Sequence, residues 1–279
     1  MTQRSPSLAL HYAGHILSEK AGARFHASNE AKVRNAIGEW LDEHQPTLAC
    51  GSLAAGADIL IAEQCLARGI PLAVTLPFDP ATFITTSVST AGTQWVARFE
   101  HCLAHSSSCL QAFDALPDNE NLGYALCTWL ALGHAHFYAL QHKCRALQLT
   151  VWDEQGGDQD AGTYADQLKA KQFNFTSYYI HSHTARVQQQ TAQRSSDTPL
   201  FAALAPLTIC PTTTVGKEPE IALDYGFNGA PSVCDFATSL GDDLLQPRLF
   251  LLLGLLNSDW FTKALNAPEN FLPQGVFTQ

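Results

Sequence analysis

Short apolar runs alternate along the chain with segments whose apolar residues recur at helical spacing. Ser7 to Ala13 (SLALHYA) predicts a strand that runs directly into Gly14-His15. Ser28 or Asn29 is placed to cap a helix with Val33, Ile37, Trp40 and Leu41 on one face, and Pro46 closes that unit. Thr47 to Cys50 predicts a buried strand, Gly51 to Gly56 a turn of small residues, and the segment from Asp58 to the stop at Gly69 an amphipathic helix. Ile70 to Phe78 is a continuous apolar run of the kind interior parallel strands carry, and Pro77 ends it. A Thr- and Ser-rich loop (Thr85 to Thr93) precedes a helix over Trp95 to His105, and Ser108 to Phe113 predicts a fourth strand. Asn119 to Lys143 predicts a long helix, apolar on most sides and therefore buried. Leu147 to Trp152 predicts a fifth strand ending in Asp153 and the loop EQGGDQDAGT. Tyr164 to Lys171 then reads as a helix and Thr176 to Ile180 as a sixth strand.

Strands and helices in this order predict an α/β fold, a Rossmann-like three-layer α/β/α arrangement with a mostly parallel sheet. In such sheets ligands bind beyond the carboxyl ends of the strands. Conspicuous small or polar residues stand at those ends: Gly14-His15, Gly51-Ser52, Pro77-Phe78, and Asp153 with Gly156 and Gly157. After His183 the pattern changes. Arg186 to Ser196 is polar and Gln-rich, expected as a helix end or a linker. The residues beyond it are rich in proline and show no βα alternation. Leu244 to Leu256 is a dense apolar helix candidate that must be covered, within this protein or by a partner. The expected division is therefore a ligand-binding domain over 1–185 and a C-terminal region over 186–279. The latter is read as a linker plus a helical segment for oligomerisation or effector coupling.

Composition narrows the classes of partner. The formal net charge is −10, with only 16 Lys and Arg in 279 residues, which argues against nucleic acid as the main partner. The cysteines at 50, 65, 102, 109, 127, 144, 210 and 234 form no CxxC pair and mostly fall in apolar patterns, as expected of reduced core residues in a cytoplasmic protein. The start MTQRSPS is polar and reads as no secretory leader. Leu249 to Leu256, the most apolar run, falls far short of the ~20 residues a membrane span needs. No membrane partner is expected. His101 and His105 share a helix face, but no carboxylate or cysteine completes a metal set with them, so no metal is expected.

The turn Gly51 to Gly56 is the chemical centre of the pattern. A strand, a turn without bulky side chains and a helix N-terminus together present N–H groups and a partial positive charge to an anion. Asp58 either accepts the free N–H groups of the first helical turn or contacts a ribose. Glu63 either lies on a solvated helix face or serves as general acid or base. His15 either donates to a phosphate or is structural. Arg98 and Glu100 are expected on a solvated face. Asp153 stands at the ligand edge, and Thr163, after Gly162, is expected to cap the helix that follows.

GSLAAGADILIAEQCL (Gly51 to Leu66) resembles the small-residue turn, Gly-x-Asp and helix of the SMF/DprA/LOG (SLOG) superfamily. Gly14-His15, the LPF of Leu76 to Phe78, Trp95 within QWVARFEHCL, and WDEQGGDQDAGTYAD (Trp152 to Asp166) follow in the order found there. The resemblance spans about residues 8–183. It implies a Rossmann-like domain that binds nucleotides or nucleotide-derived ligands, of the kind found in bacterial signalling and defence proteins. The branch that cleaves N-glycosidic bonds carries a PGGxGTxxE motif, and this sequence departs from it: it has no PGG, and Glu63 follows Gly56 by seven residues. The resemblance therefore implies binding or sensing of an NAD-derived or cyclic-nucleotide signal, without a further cofactor. A nucleotide N-glycosidase using Glu63 or Asp153, and a non-catalytic scaffold, are the alternatives. The ligand-binding positions so implied are Gly14, His15, Gly51, Ser52, Gly56, Asp58, Glu63, Pro77, Asp153, Gly162 and Thr163.

Overall fold

Period-two alternation along the strands explains why the sheet is covered on both faces. In the computed structural model, residues 7–113, 116, 120–157, 161–173 and 175–190 are described. Strand β1 (Leu8–Gly14) sends Leu8, Leu10 and Tyr12 to one face and Ala9 to the other. Strands β2 (Leu48–Gly51) and β3 (Leu72–Leu76) do likewise, with Ala49, Leu72, Val74 and Leu76 on the first face and Leu48, Cys50 and Ala73 on the second. Helices α1 (Glu30–His44), α2 (Ala57–Leu66) and α4 (Gln94–Ala104) cover the first face through Val33, Ile37, Ile59, Leu60, Trp95 and Phe99. The second face is lined by small residues, so the long helix α5 (Glu120–His142) lies close against β1, β2 and β3 with Trp129, Leu132 and Ala135.

The sheet has seven strands in the order β4-β3-β2-β1-β5-β6-β7, completed by β4 (Ser108–Gln111), β5 (Arg145–Trp152), β6 (Thr176–His181) and β7 (Val187–Gln189). All pairs are parallel except β6 with β7. This is the expected Rossmann-like α/β sheet, with helices on both sides. The chain steps outward from β1 to β4, then returns to the other side of β1 with β5. The strand order thus reverses between β1 and β5, where the crevice of such a sheet opens.

Some elements differ from expectation. Thr85 to Thr93 is not an open loop: α3 (Pro80–Phe83), a π-helical turn (Ile84–Val88) and a 3-10 turn (Ser89–Ala91) carry the chain through it, burying Phe83, Ser87 and Val88. The polar stretch after Arg186 begins as a strand rather than a helix end or linker, because β6 leaves an edge that Val187–Gln189 pairs with. The polar helix α6 (Thr163–Gln172) forms where Tyr164 to Lys171 predicted one, but it is partly buried. Asp166, Gln167 and Lys169 are buried, since β5 and β6 present polar Gln148, Thr150 and Ser177 beneath it. Gln167 Nε2 donates to Thr150 Oγ1 at 3.2 Å, and Gln148 Nε2 donates to the Asp166 carbonyl at 3.0 Å. Of the cysteines, Cys50, Cys65, Cys102 and Cys127 are buried free thiols, while Cys109 is exposed. Among the described residues no helix is long and apolar enough to cross a membrane. The expectations for residues 191–279, including the Leu244 to Leu256 helix and a role in assembly, lie outside the described residues.

Candidate functional site

A cleft of about 840 Å³ opens at the reversal of strand order, lined by the end of β1, the loop after it, the start of α2, the inner face of α5 and the start of α6. Gly14 pairs with Val151, so His15 and Asp153 leave their strands side by side. His15 Nε2 lies 3.0 Å from Asp153 Oδ1, and Thr163 Oγ1 lies 3.2 Å from His15 Nδ1. Arg24 grips the same carboxylate with two nitrogens, Nε to Oδ2 at 2.8 Å and Nη2 to Oδ1 at 2.7 Å. Burial pushes the Asp153 carboxyl up, but the bonds from Arg24, His15 and the Gln155 amide prevail and hold it well below the ordinary carboxylate value. Burial, reinforced by the Arg24 charge, lowers His15 to about 4 against the pull of Asp153. An ionised Asp153 only accepts, so the neutral imidazole carries its proton on Nε2 and accepts from the Thr163 hydroxyl on Nδ1. Both ring nitrogens of His15 are therefore engaged, and the residue fastens β1, β5 and α6 together.

Two amides of the Gly51 to Gly56 turn, and the first amide of α2, are engaged within the chain. Ala54 N–H donates to Asp58 Oδ2 at 3.3 Å, Ala55 N–H to the Ser87 carbonyl at 2.9 Å, and Ala57 N–H to the His15 carbonyl at 3.2 Å. Asp58 does not accept from the first turn of its own helix, as the sequence pattern suggested, but folds back on the turn that precedes it. The small residues serve chain packing. A Cβ on Gly51 would stand 2.6 Å from the Tyr12 ring and carbonyl, and one on Gly14 would stand 2.4 Å from Ala57 Cβ. Gly56 has φ +108° and pairs with Ile16 across an isolated bridge, and its Cβ would meet Leu17 N at 2.4 Å. The glycine pattern thus reflects how closely the loop after β1 crosses the start of α2.

Acidic groups line the inner part of the cleft. Asp58 is 6 % exposed, and its Oδ1 has no hydrogen-bond partner. Burial, then the charge of Asp166, raise its carboxyl to about 8, against the amides of Ala54 and Gly14. Burial also raises Asp166, although Thr128 Oγ1 donates to its Oδ1 at 2.6 Å. Ser52, Tyr124 and Ser87 add hydroxyls to the same walls, with Ser87 Oγ and Tyr124 Oη 2.9 Å apart. Lys20 and Arg24 supply cations on the loop after β1, with Gly157, Gly162 and Tyr164 lining the same cleft.

Of the residues the sequence pointed to, the cleft gathers Gly14, His15, Ser52, Asp58, Gly162 and Thr163, with Asp153 behind His15. Gly162 itself is the N-cap residue of α6, with φ +86°, so Thr163 does not cap the helix but turns its hydroxyl to His15. Gly51, Gly56, Pro77 and Glu63 do not line the cleft. Pro77 follows β3, two strands from the reversal, and its carbonyl accepts from the Phe113 amide. Glu63 faces α1 and α4. Arg98 binds it through Nε at 2.7 Å and Nη2 at 2.8 Å, Arg34 adds a bond at 3.1 Å, and Arg98 also reaches Glu30 at 2.9 Å. Arg98, expected in solvent, is instead 20 % exposed and stacks 3.8 Å over Trp95. The sequence reading missed Lys20, Arg24, Thr128 and Asp166. Arg24 had a legible signal, an arginine in a small-residue loop just past a strand end, whereas nothing in TYADQLKAKQ marks Asp166 as buried.

The chain matches no protein-family model and no curated protein sequence.

Proposed function

We propose that this chain binds a nucleotide or nucleotide-derived ligand in the cleft between β1 and β5, as an SLOG-like, cytoplasmic sensing domain. The observation that carries this is the position of the cleft: about 840 Å³ at the reversal of strand order between β1 and β5, where α/β sheets hold ligands. Its lining suits the class, since the Lys20 ammonium on the loop after β1 matches a phosphate, and carboxylates and hydroxyls match a sugar or base. Residues 186–279 would couple binding to assembly or to an effector.

Neither carboxylate first considered for hydrolysis supports the N-glycosidase alternative. Glu63 is held by Arg98 and Arg34 outside the cleft, and Asp153 is held by Arg24, His15 and the Gln155 amide. A general acid or base needs a free oxygen within reach of the substrate.

A melting screen of the purified chain against AMP, ADP, NAD, ADP-ribose and cyclic dinucleotides tests the proposal. A ligand at about 100 times its Kd stabilises by about 2.7 kcal/mol, a resolvable shift. At least one member should raise the melting temperature and be recovered intact. A silent panel would defeat the binding proposal, and a cleaved ligand would replace sensing with hydrolysis.

A further inference from the structure

Most polar side chains of the cleft are already engaged within the chain. His15 and Arg24 hold Asp153, Thr163 bonds His15, Ser87 bonds Tyr124, and Thr128 bonds Asp166. Lys20 and Tyr164 line the same cleft and differ from these. Lys20 is exposed, and its ammonium makes no hydrogen bond or ion pair among the described residues. Tyr164 is half-buried at the second position of α6, and its hydroxyl makes no bond among the described residues. The hydroxyl of Tyr124, by contrast, is held by Ser87, Thr86 and Glu120.

The Tyr164 ring is backed rather than loose. Its centroid lies 6.4 Å from that of Trp152, with the planes 24° apart. Trp152 is itself fixed, because its Nε1 donates to the Gln155 carbonyl at 2.8 Å and its ring meets Tyr179 edge-on at 5.5 Å. The backbone of Gly157 passes beside the same residue: a Cβ there would stand 3.5 Å from Tyr164 Cβ and 3.3 Å from Arg24 Nη1. Tyr164 thus stands next to the loop after β1, which also carries Lys20. An aromatic ring held on a cleft wall offers a planar group a stacking surface at little cost in entropy.

We propose that Tyr164 is the platform on which the base of a nucleotide stacks, with the phosphate of that nucleotide at Lys20. This rests on the nucleotide-binding proposal and deepens it, since it assigns the base to α6 and the charge to the loop after β1. Every base has a π-face, and stacking on an aromatic side chain contributes about 1–3 kcal/mol, equivalent to roughly fivefold to a hundredfold in affinity.

Calorimetric titration with AMP and adenosine separates the two contacts. Tyr164→Ala should weaken both probes by the same factor, roughly tenfold, because both carry the base. Tyr164→Phe should bind AMP as wild type does, since it keeps the ring and the hydroxyl it removes has no partner to lose among the described residues. Lys20→Ala should weaken AMP and leave adenosine unchanged, since Lys20 acts on the phosphate alone. Where Tyr164→Ala fails to fold, Tyr164→Leu repeats the test, keeping an apolar contact for Trp152 without a ring face. AMP bound equally by wild type and the folded variant without the ring would overturn the platform and leave the binding proposal standing. No binding of either probe to wild type would also overturn the platform, and the melting screen alone then decides the binding proposal.

Discussion

Asp153 Oδ1 accepts from His15 Nε2 at 3.0 Å although 138 residues separate them, and Arg24 closes on the same carboxylate from the loop after β1. One buried anion therefore ties together the ends of β1 and β5 and, through Thr163, the start of α6. The walls of the cleft are set by this clasp before any ligand enters.

Asp153→Asn should loosen that clasp. Removing one partner of a buried pair costs about 3–5 kcal/mol, but the Arg24 side chain is 39 % exposed and screened, so about 2 kcal/mol is expected. Urea denaturation of the two proteins measures it. A loss confined to a few tenths of a kcal/mol would show that Arg24 and His15 find other partners.

Gly56→Ala should be a folding mutation rather than a test of the ligand. At φ +108°, with Leu17 N 2.4 Å from the new Cβ, the loop must move away from α2. Strain and lost contact should cost roughly 2–4 kcal/mol. A melting temperature equal to wild type would refute the close crossing of Ile16 and Gly56.

Glu63→Gln should lower stability by about 1–3 kcal/mol, because Arg98 and Arg34 lose their shared anion. Binding of AMP should be unchanged, since Glu63 does not line the cleft. Parallel denaturation and calorimetry check both halves, and an abolished affinity with intact fold would return Glu63 to the site.

Stability should peak near pH 6.5. Burial lowers His11 to about 3 and His134 to about 4, and burial with the Arg24 charge lowers His15 to about 4. The unfolded chain takes up these protons below the ordinary 6.5 while the folded chain does not, so stability falls with decreasing pH from 6.5 towards 4. Asp58 works the other way: burial and then Asp166 raise it from 3.8 to about 8, so the folded chain keeps a proton the unfolded chain has released. Its contribution is full below 3.8 and is lost as pH rises through 8. Below 6.5 the three histidines outweigh it, and above 6.5 its loss is no longer offset by them, with Asp166, raised by burial, acting in the same direction. Melting temperatures from pH 5 to 8.5 should show this maximum, and Asp58→Asn should flatten the alkaline side.

Alternation and turn residues made the first six strands, the long buried helix and the ligand edge of the sheet legible, because burial of one face imposes a period that survives in a single sequence. The seventh strand was not legible: VQQ is polar, and only an open edge on β6 gives it a partner. The helix α6 was legible as a helix, but its burial was not, because only the fold shows β5 and β6 offering Gln148, Thr150 and Ser177 beneath its polar residues.

The site divides in the same way. That Gly14, His15, Ser52 and Asp153 stand at strand ends, and Asp58 at a helix start, follows from their positions in the chain, since the end of an element is a local property. Which of them face a cleft, and what each is bonded to, depends on strand order and on side chains more than a hundred residues away. Arg24 neutralises Asp153, Arg98 removes Glu63 from contention, and burial, then Asp166, raises Asp58. Charge and desolvation act through space rather than along the chain, so the candidate residues were local knowledge and their chemistry belongs to the folded molecule.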